Sequence, residues 1–150
     1  MASLVRLVVG SLLLAAASAF GQDRPRPVSL IQLLSTPEKF DGKIVTVTGF
    51  LAMSPHPEFF GQQPILYVHQ VDAENVLVAN SVLVVASEQM RRDREKLDGM
   101  YVTLTGLFRA IRADSQDSYA SGTIANVRAC TPWSDPKHPV GVRQNRKEFK

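Results

Sequence analysis

The 150-residue chain has one cysteine, one tryptophan and three histidines. With Cys130 alone no internal disulfide can form, so a fold must rest on its core. Cys130 reads as a small apolar filler near the end of the last strand, with pairing between chains as the alternative. Several reactive signatures are missing. There is no Gly-x-Ser-x-Gly elbow, no glycine-rich phosphate loop and no run of His and Cys at zinc-ligand spacing. No apolar run after the first twenty or so residues approaches membrane-spanning length. These absences count against hydrolase, nucleotide-hydrolysing and structural-zinc readings, and they call for no cofactor and no metal.

What is present begins at the N-terminus. Residues 1–21 carry Arg6, then an apolar stretch over residues 7–16, then Ala17-Ser18-Ala19. That is the pattern of a secretory signal peptide, cleaved after Ala19 or after Gly21, and a retained anchor is the alternative. The expectation is therefore an exported protein, periplasmic or secreted, with an unknown protein or envelope partner. Residues 22–27 read as an extended linker, residues 28–131 as one domain, and residues 132–150 as a basic, disordered tail. The formal charge of +3 divides unevenly. The tail holds Lys137, Arg143, Arg146, Lys147 and Lys150 against Asp135 and Glu148, which leaves the domain slightly acidic. A weak polyanion contact through the tail is expected, and a nucleic-acid groove on the fold is disfavoured.

The domain contains an internal echo. Residues 40–51 read FDGKIVTVTGFL and residues 97–108 read LDGMYVTLTGLF. Asp41-Gly42 matches Asp98-Gly99, and the Val-Thr and Thr-Gly steps follow in register. In both, aliphatic residues alternate with a Thr-rich face, which is the period of a β-strand. Val45, Val47 and Leu51, with Val102, Leu104 and Phe108, are the expected buried set. Gly49 and Gly106, at matching positions inside the strands, predict a bend or bulge.

Around these strands the chain reads as a helix from Ser29, where Ser29 and Gln32 form a capping box over a stripe of Leu30, Ile31, Leu33 and Leu34. Pro37 then opens a single turn under a Thr36 cap. A loop over residues 52–63 leads to a strand over 64–69, and Asp72 to Asn75 reads as a turn. Residues 76–86 hold one strand or a bulged pair. A charged helix over residues 87–97 follows, with Met90 and Leu97 facing the core. A loop over 111–120 and a strand over 121–129 complete the domain. Five strands with a leading helix and a helix between strands three and four predict a mainly β, OB-like Greek-key barrel.

The runs VSLIQLLSTPEKFDGKIVTVTGFL, LYVHQVDAEN and KLDGMYVTLTGLF carry a resemblance. They resemble small exported bacterial proteins with an OB-like barrel of the anticodon-binding-like group, which have no assigned activity. The resemblance implies fold and export, and it brings no catalytic residues.

Chemistry has few candidates. His56, Glu58 and His69 would be the basis of a small metal-dependent enzyme, against a plainer reading as solvated loop residues. His138 lies in the tail, and Asp72 with Glu74 is better explained by a turn. Binding is favoured. Phe59, Phe60, Tyr67, His69 and Arg112, with Arg109 and Tyr119 flanking, come from the loops and strand that OB-folds use for ligands. On this reading the protein is a non-enzymatic binding or envelope-associated module. Single-stranded nucleic acid or oligosaccharide is the alternative ligand class. The plainer reading makes Phe59 and Phe60 barrel plugs and Tyr67 core.

Overall fold

The computed structural model describes residues 24–53, 63–111 and 120–134. Within them lie six strands: Arg26–Pro27 (β1), Ile44–Ala52 (β2), Ile65–Tyr67 (β3), Ser81–Val84 (β4), Met100–Ala110 (β5) and Gly122–Pro132 (β6). Four short helices, Leu30–Ser35 (α1), Gln70–Glu74 (α2), Glu88–Arg92 (α3) and Arg94–Leu97 (α4), and two 3-10 turns join them. The sheet runs β1-β2-β3-β4-β6-β5, and β5 pairs back onto β2, so β2 to β6 close a five-stranded barrel. The β4–β6 pairing is parallel and the other barrel pairings are antiparallel. This is the expected OB-like Greek-key barrel, with a helix early in the chain and α3 and α4 between its third and fourth strands.

The two echoing segments turn out to be neighbours. In the β2–β5 register Val47 lies opposite Leu104, and these two are also equivalent in the repeat. Flanking pairs exchange places: Val45 opposes Gly106 while Gly49 opposes Val102. The repeat is thus arranged about a local two-fold axis through the Val47–Leu104 pair. Side-chain bonds obey the same axis. Thr46 Oγ1 lies 2.8 Å from Thr105 Oγ1, and Thr48 Oγ1 lies 3.3 Å from Thr103 Oγ1. Such cross-strand threonine pairs contribute roughly 0.2–1 kcal/mol each.

The Asp-Gly steps are the strand clamps of this arrangement. The Ala110 N–H donates to Asp41 Oδ1 at 3.1 Å, and the Met53 N–H donates to Asp98 Oδ1 at 3.0 Å. Gly42 donates its N–H to the Phe108 carbonyl, and Gly99 donates to the Leu51 carbonyl. Both glycines sit at φ +72°, a conformation that costs a side-chain-bearing residue strain. Each motif therefore ends one strand of the pair while starting the other.

The core fills the barrel. Val45, Val47, Leu51, Val102, Leu104 and Phe108 are buried together, as their parity predicts. α1 adds Leu30 and Leu33, and α3 and α4 add Met90 and Leu97. The α1 capping box forms as expected, with Ser29 Oγ accepting from the Gln32 N–H and Gln32 Oε1 accepting from the Ser29 N–H. Ile31, however, is 60% exposed. A six-residue helix turns only part of its circumference inward. Thr36 also departs from its expected role, because its hydroxyl donates to the Gln32 carbonyl and leaves the following 3-10 turn, Pro37–Lys39, without a side-chain cap.

Several boundaries shift. Arg26 and Pro27, at the end of the expected linker, pair in parallel with Val45 and Thr46. The Asp72–Asn75 turn belongs to the one-turn helix α2. Asp72, 4% exposed, accepts from the His69 N–H and from Asn80 Nδ2. Residues 76–86 yield only β4, preceded by a 3-10 turn over Val78–Asn80. The charged helix breaks at Asp93 into α3 and α4. The last strand runs on to Pro132. Among the described residues no helix is long and apolar enough to cross a membrane.

The bulge predicted at the matched glycines is present at Gly106. Thr105 opposes Ala129 and Leu107 opposes Ala125, so β6 carries three residues against Gly106 alone, with Asn126 at φ +48°. Cys130 is buried opposite Leu104, and burial pushes its thiol up to about 11 from 9.0. Its folded pKa is raised, so stability is complete below pH 9 and falls as pH rises towards 11. Between these limits the loss should reach about 2–3 kcal/mol. Urea titrations across that range should show the extra alkaline loss in the wild type and not in Cys130→Ala.

Candidate binding groove on the outer face

The outer faces of β2 and β5 present Thr46, Thr48, Thr103 and Thr105 beside the half-buried ring of Tyr101. β6 delivers Trp133 onto this face. The Trp133 N–H donates to the Tyr101 carbonyl at 2.8 Å, and the two rings meet edge to face at 6.5 Å. Tyr101 in turn meets Phe50 edge to face at 5.5 Å, and its hydroxyl accepts from the Gln70 N–H. Across from these rings stands the N-terminal turn of α1. Between them lies an open groove of about 640 Å³. Its floor is the β2 face at Thr46 and Thr48, and Pro27 to Gln32, Val68, His69, Tyr101 and Trp133 line the rest. Ile31 and Trp133, 60% and 43% exposed, both line it.

The surface is chemically mixed in the manner of a recognition site. Threonine hydroxyls and His69 supply hydrogen-bonding groups, while an indole, a phenol and aliphatic side chains supply contact area. Among the described residues its lining includes no carboxylate. Among the described residues no group of three His, Cys, Asp or Glu side chains is placed to hold a metal ion.

The expected site residues separate. Tyr67 is fully buried in a second cluster with Phe50 and Ile65. Its hydroxyl has no hydrogen-bond partner among the described residues, and burial raises its pKa above 10.0. A ring in that position packs and does not stack on a ligand. His69 is exposed, at the start of α2, and lines the groove. Strand β3 ends at Tyr67, and the chain stays extended to His69 before α2 begins. Phe59, Phe60 and Arg112 lie outside the described residues, as do His56, Glu58, Tyr119 and His138. Trp133 and the Thr46–Thr48 floor were not among the expected site residues. The available signals were the Thr-rich outer parity and a lone tryptophan directly after the last strand.

No protein-family model matches the sequence, and no curated protein matches it. Among solved structures the chain is similar to a crystal structure assigned as an aspartyl-tRNA synthetase from Leishmania major Friedlin, at 10% identity and a TM-score of 0.42. The match covers 77% of this chain and 22% of that one, so this chain spans about a fifth of that protein's length. The OB-like assignment rests on the barrel topology itself.

Proposed function

We propose that this chain is an exported, non-enzymatic OB-like binding module that takes a ring-bearing ligand in the groove between α1 and the β2–β5 face. The observation that carries the reading is Trp133. Its backbone is bonded to β5 and its ring rests on Tyr101, yet 43% of the residue faces solvent over a hydroxyl-lined floor. An immobilised, half-open indole gives contact area with little ordering cost, which suits stacking on a planar or pyranose ring. Threonine hydroxyls beneath it suit the hydroxyls of a sugar, and an oligosaccharide of the cell envelope is the first reading. A single-stranded nucleic acid is the second, since a base presents the same π-face to the indole.

Calorimetry of the mature chain with a chito-oligosaccharide and with oligothymidylate separates these two. Trp133→Ala should weaken whichever ligand binds by about five- to 150-fold, the value of one stacked ring. It should leave the urea midpoint nearly unchanged, since the residue is substantially exposed. Binding undiminished by Trp133→Ala would remove the groove from the reading. Export has its own arm: protein secreted by a Sec-competent host should lack residues 1–19 or 1–21 by intact mass. A full-length, carbonate-resistant membrane species would mean that the apolar segment is an anchor.

A further inference from the structure

A second cavity, of about 300 Å³, opens on the same outer face beyond the threonines. Ile44 and Leu107, paired across β2 and β5, contribute apolar lining. Around them stand Arg24, Arg26, Lys43 and Arg128, and among the described residues no carboxylate lines the space. The cations come from three separate parts of the chain. Arg26 is held by the pairing of β1 with Val45, and Lys43 follows the Gly42 turn. Arg128 stands in the β6 bulge beside Asn126. Arg109 is close by, its Nη1 3.4 Å from where a Cβ on Gly42 would sit.

The domain's slightly negative net charge concealed this cluster. Charge counted along a sequence averages over the whole surface, whereas the fold sorts it. Asp41, beside the Gly42 turn, is engaged elsewhere, its Oδ1 accepting from the Ala110 N–H. Among the described residues Arg24, Arg26 and Lys43 form no ion pair, although Lys43 Nζ donates to the Lys39 carbonyl. Like charges gathered around one cavity repel each other, and a multivalent anion relieves that repulsion. Guanidinium forks match the oxygens of a phosphate, and three of the four lining cations are arginines. The volume is several times the share of one water, about 30 Å³, and sits at the lower bound of small-ligand pockets. It therefore has room for a phosphate and part of the body that carries it.

We infer that this cavity is a phosphate-binding site, taking a phosphate ester or the free anion, built by β1, the Gly42–Lys43 turn and the β6 bulge. It is separate from the groove proposed above but shares strand β2 with it, Ile44 facing one site and Thr46 and Thr48 the other.

The test titrates the mature full chain with inorganic phosphate and with glucose 6-phosphate at low ionic strength. Affinity is read by calorimetry and the site by amide NMR. Both ligands should shift the Gly42, Lys43 and Asn126 amides, and Arg26→Gln combined with Arg128→Gln should weaken binding about tenfold or more. Both side chains are exposed, so the urea midpoint should hold. Tighter binding of the ester identifies a site for phosphorylated sugars, and equal binding identifies a site for the anion itself. Shifts confined to residues 135–150, or an affinity unchanged in the double variant, would overturn the proposal. So would retention of heparin that neither phosphate displaces, which would mark a diffuse basic surface.

Discussion

Replacing Leu104 by Ala should lower the free energy of unfolding by about 2–5 kcal/mol, the cost of a core leucine cavity. Leu104 is fully buried and stands at the centre of the β2–β5 ladder, opposite Val47 on β2 and Cys130 on β6. Hydrogen-bonded strands on both sides hold the backbone in place, so the site has little freedom to collapse around the missing atoms. That argues for the upper part of the range. Against a typical total of about 5–15 kcal/mol, such a loss would leave a marginal domain. The urea midpoint should fall with the slope unchanged. Because Val47 and Leu104 are in contact across the two-fold axis, the double variant Val47→Ala, Leu104→Ala should depart from additivity by about 0.5 kcal/mol or more. A loss near zero for Leu104→Ala would mean that β5 presents its other face to the core.

Gly106→Ala should destabilise by about 1–3 kcal/mol, the range for forcing an atom into a packed core. The sign is informative. At a compatible, uncrowded site, Gly to Ala stabilises by about 0.4–1 kcal/mol through the unfolded chain. Here a Cβ would lie 2.6 Å from Ile124 Cγ2 and 2.9 Å from the Ala125 carbonyl oxygen, and the second contact is backbone. Relief would require the β6 bulge to move. A Cβ on its repeat counterpart Gly49 would lie 2.7 Å from the Tyr67 carbonyl oxygen, so Gly49→Ala should behave alike. A stabilised Gly106→Ala protein would show that β6 does not cross where the structure puts it.

The barrel was legible because its signals are local. Alternation over residues 44–52 and 100–110, the Ser29–Gln32 capping box and the Asp-Gly steps each depend on residues a few positions apart. That the two similar segments would pair with each other about a two-fold axis was not legible. A repeat fixes similarity of conformation, while pairing is decided by the closure of the whole barrel. The short elements were hardest. α2, a single turn, draws its order from Asp72 bridging His69 and Asn80, which no hydrophobic period announces. The site was legible only in part. His69 lines the groove, but Tyr67 is fully buried with Phe50 and Ile65 in a cluster against which the groove residue Tyr101 packs, and alternation alone does not say which rings such a cluster covers. Trp133 joins the groove through a backbone bond to Tyr101, thirty-two residues away in the chain, and such a contact exists only once β5 and β6 have paired. The basic cavity was concealed for the same reason, since its cations meet through three separate segments.

Trp133 is the only tryptophan, so its fluorescence reports on the proposed groove without labelling. The most direct measurement is its emission during titration of the protein with a chito-oligosaccharide and, separately, with oligothymidylate. A saturable change in intensity or wavelength is expected with one of the two, at the affinity calorimetry gives, as the half-exposed indole is covered. Saturable binding by calorimetry with an unchanged Trp133 spectrum would place the ligand elsewhere and rule out the groove.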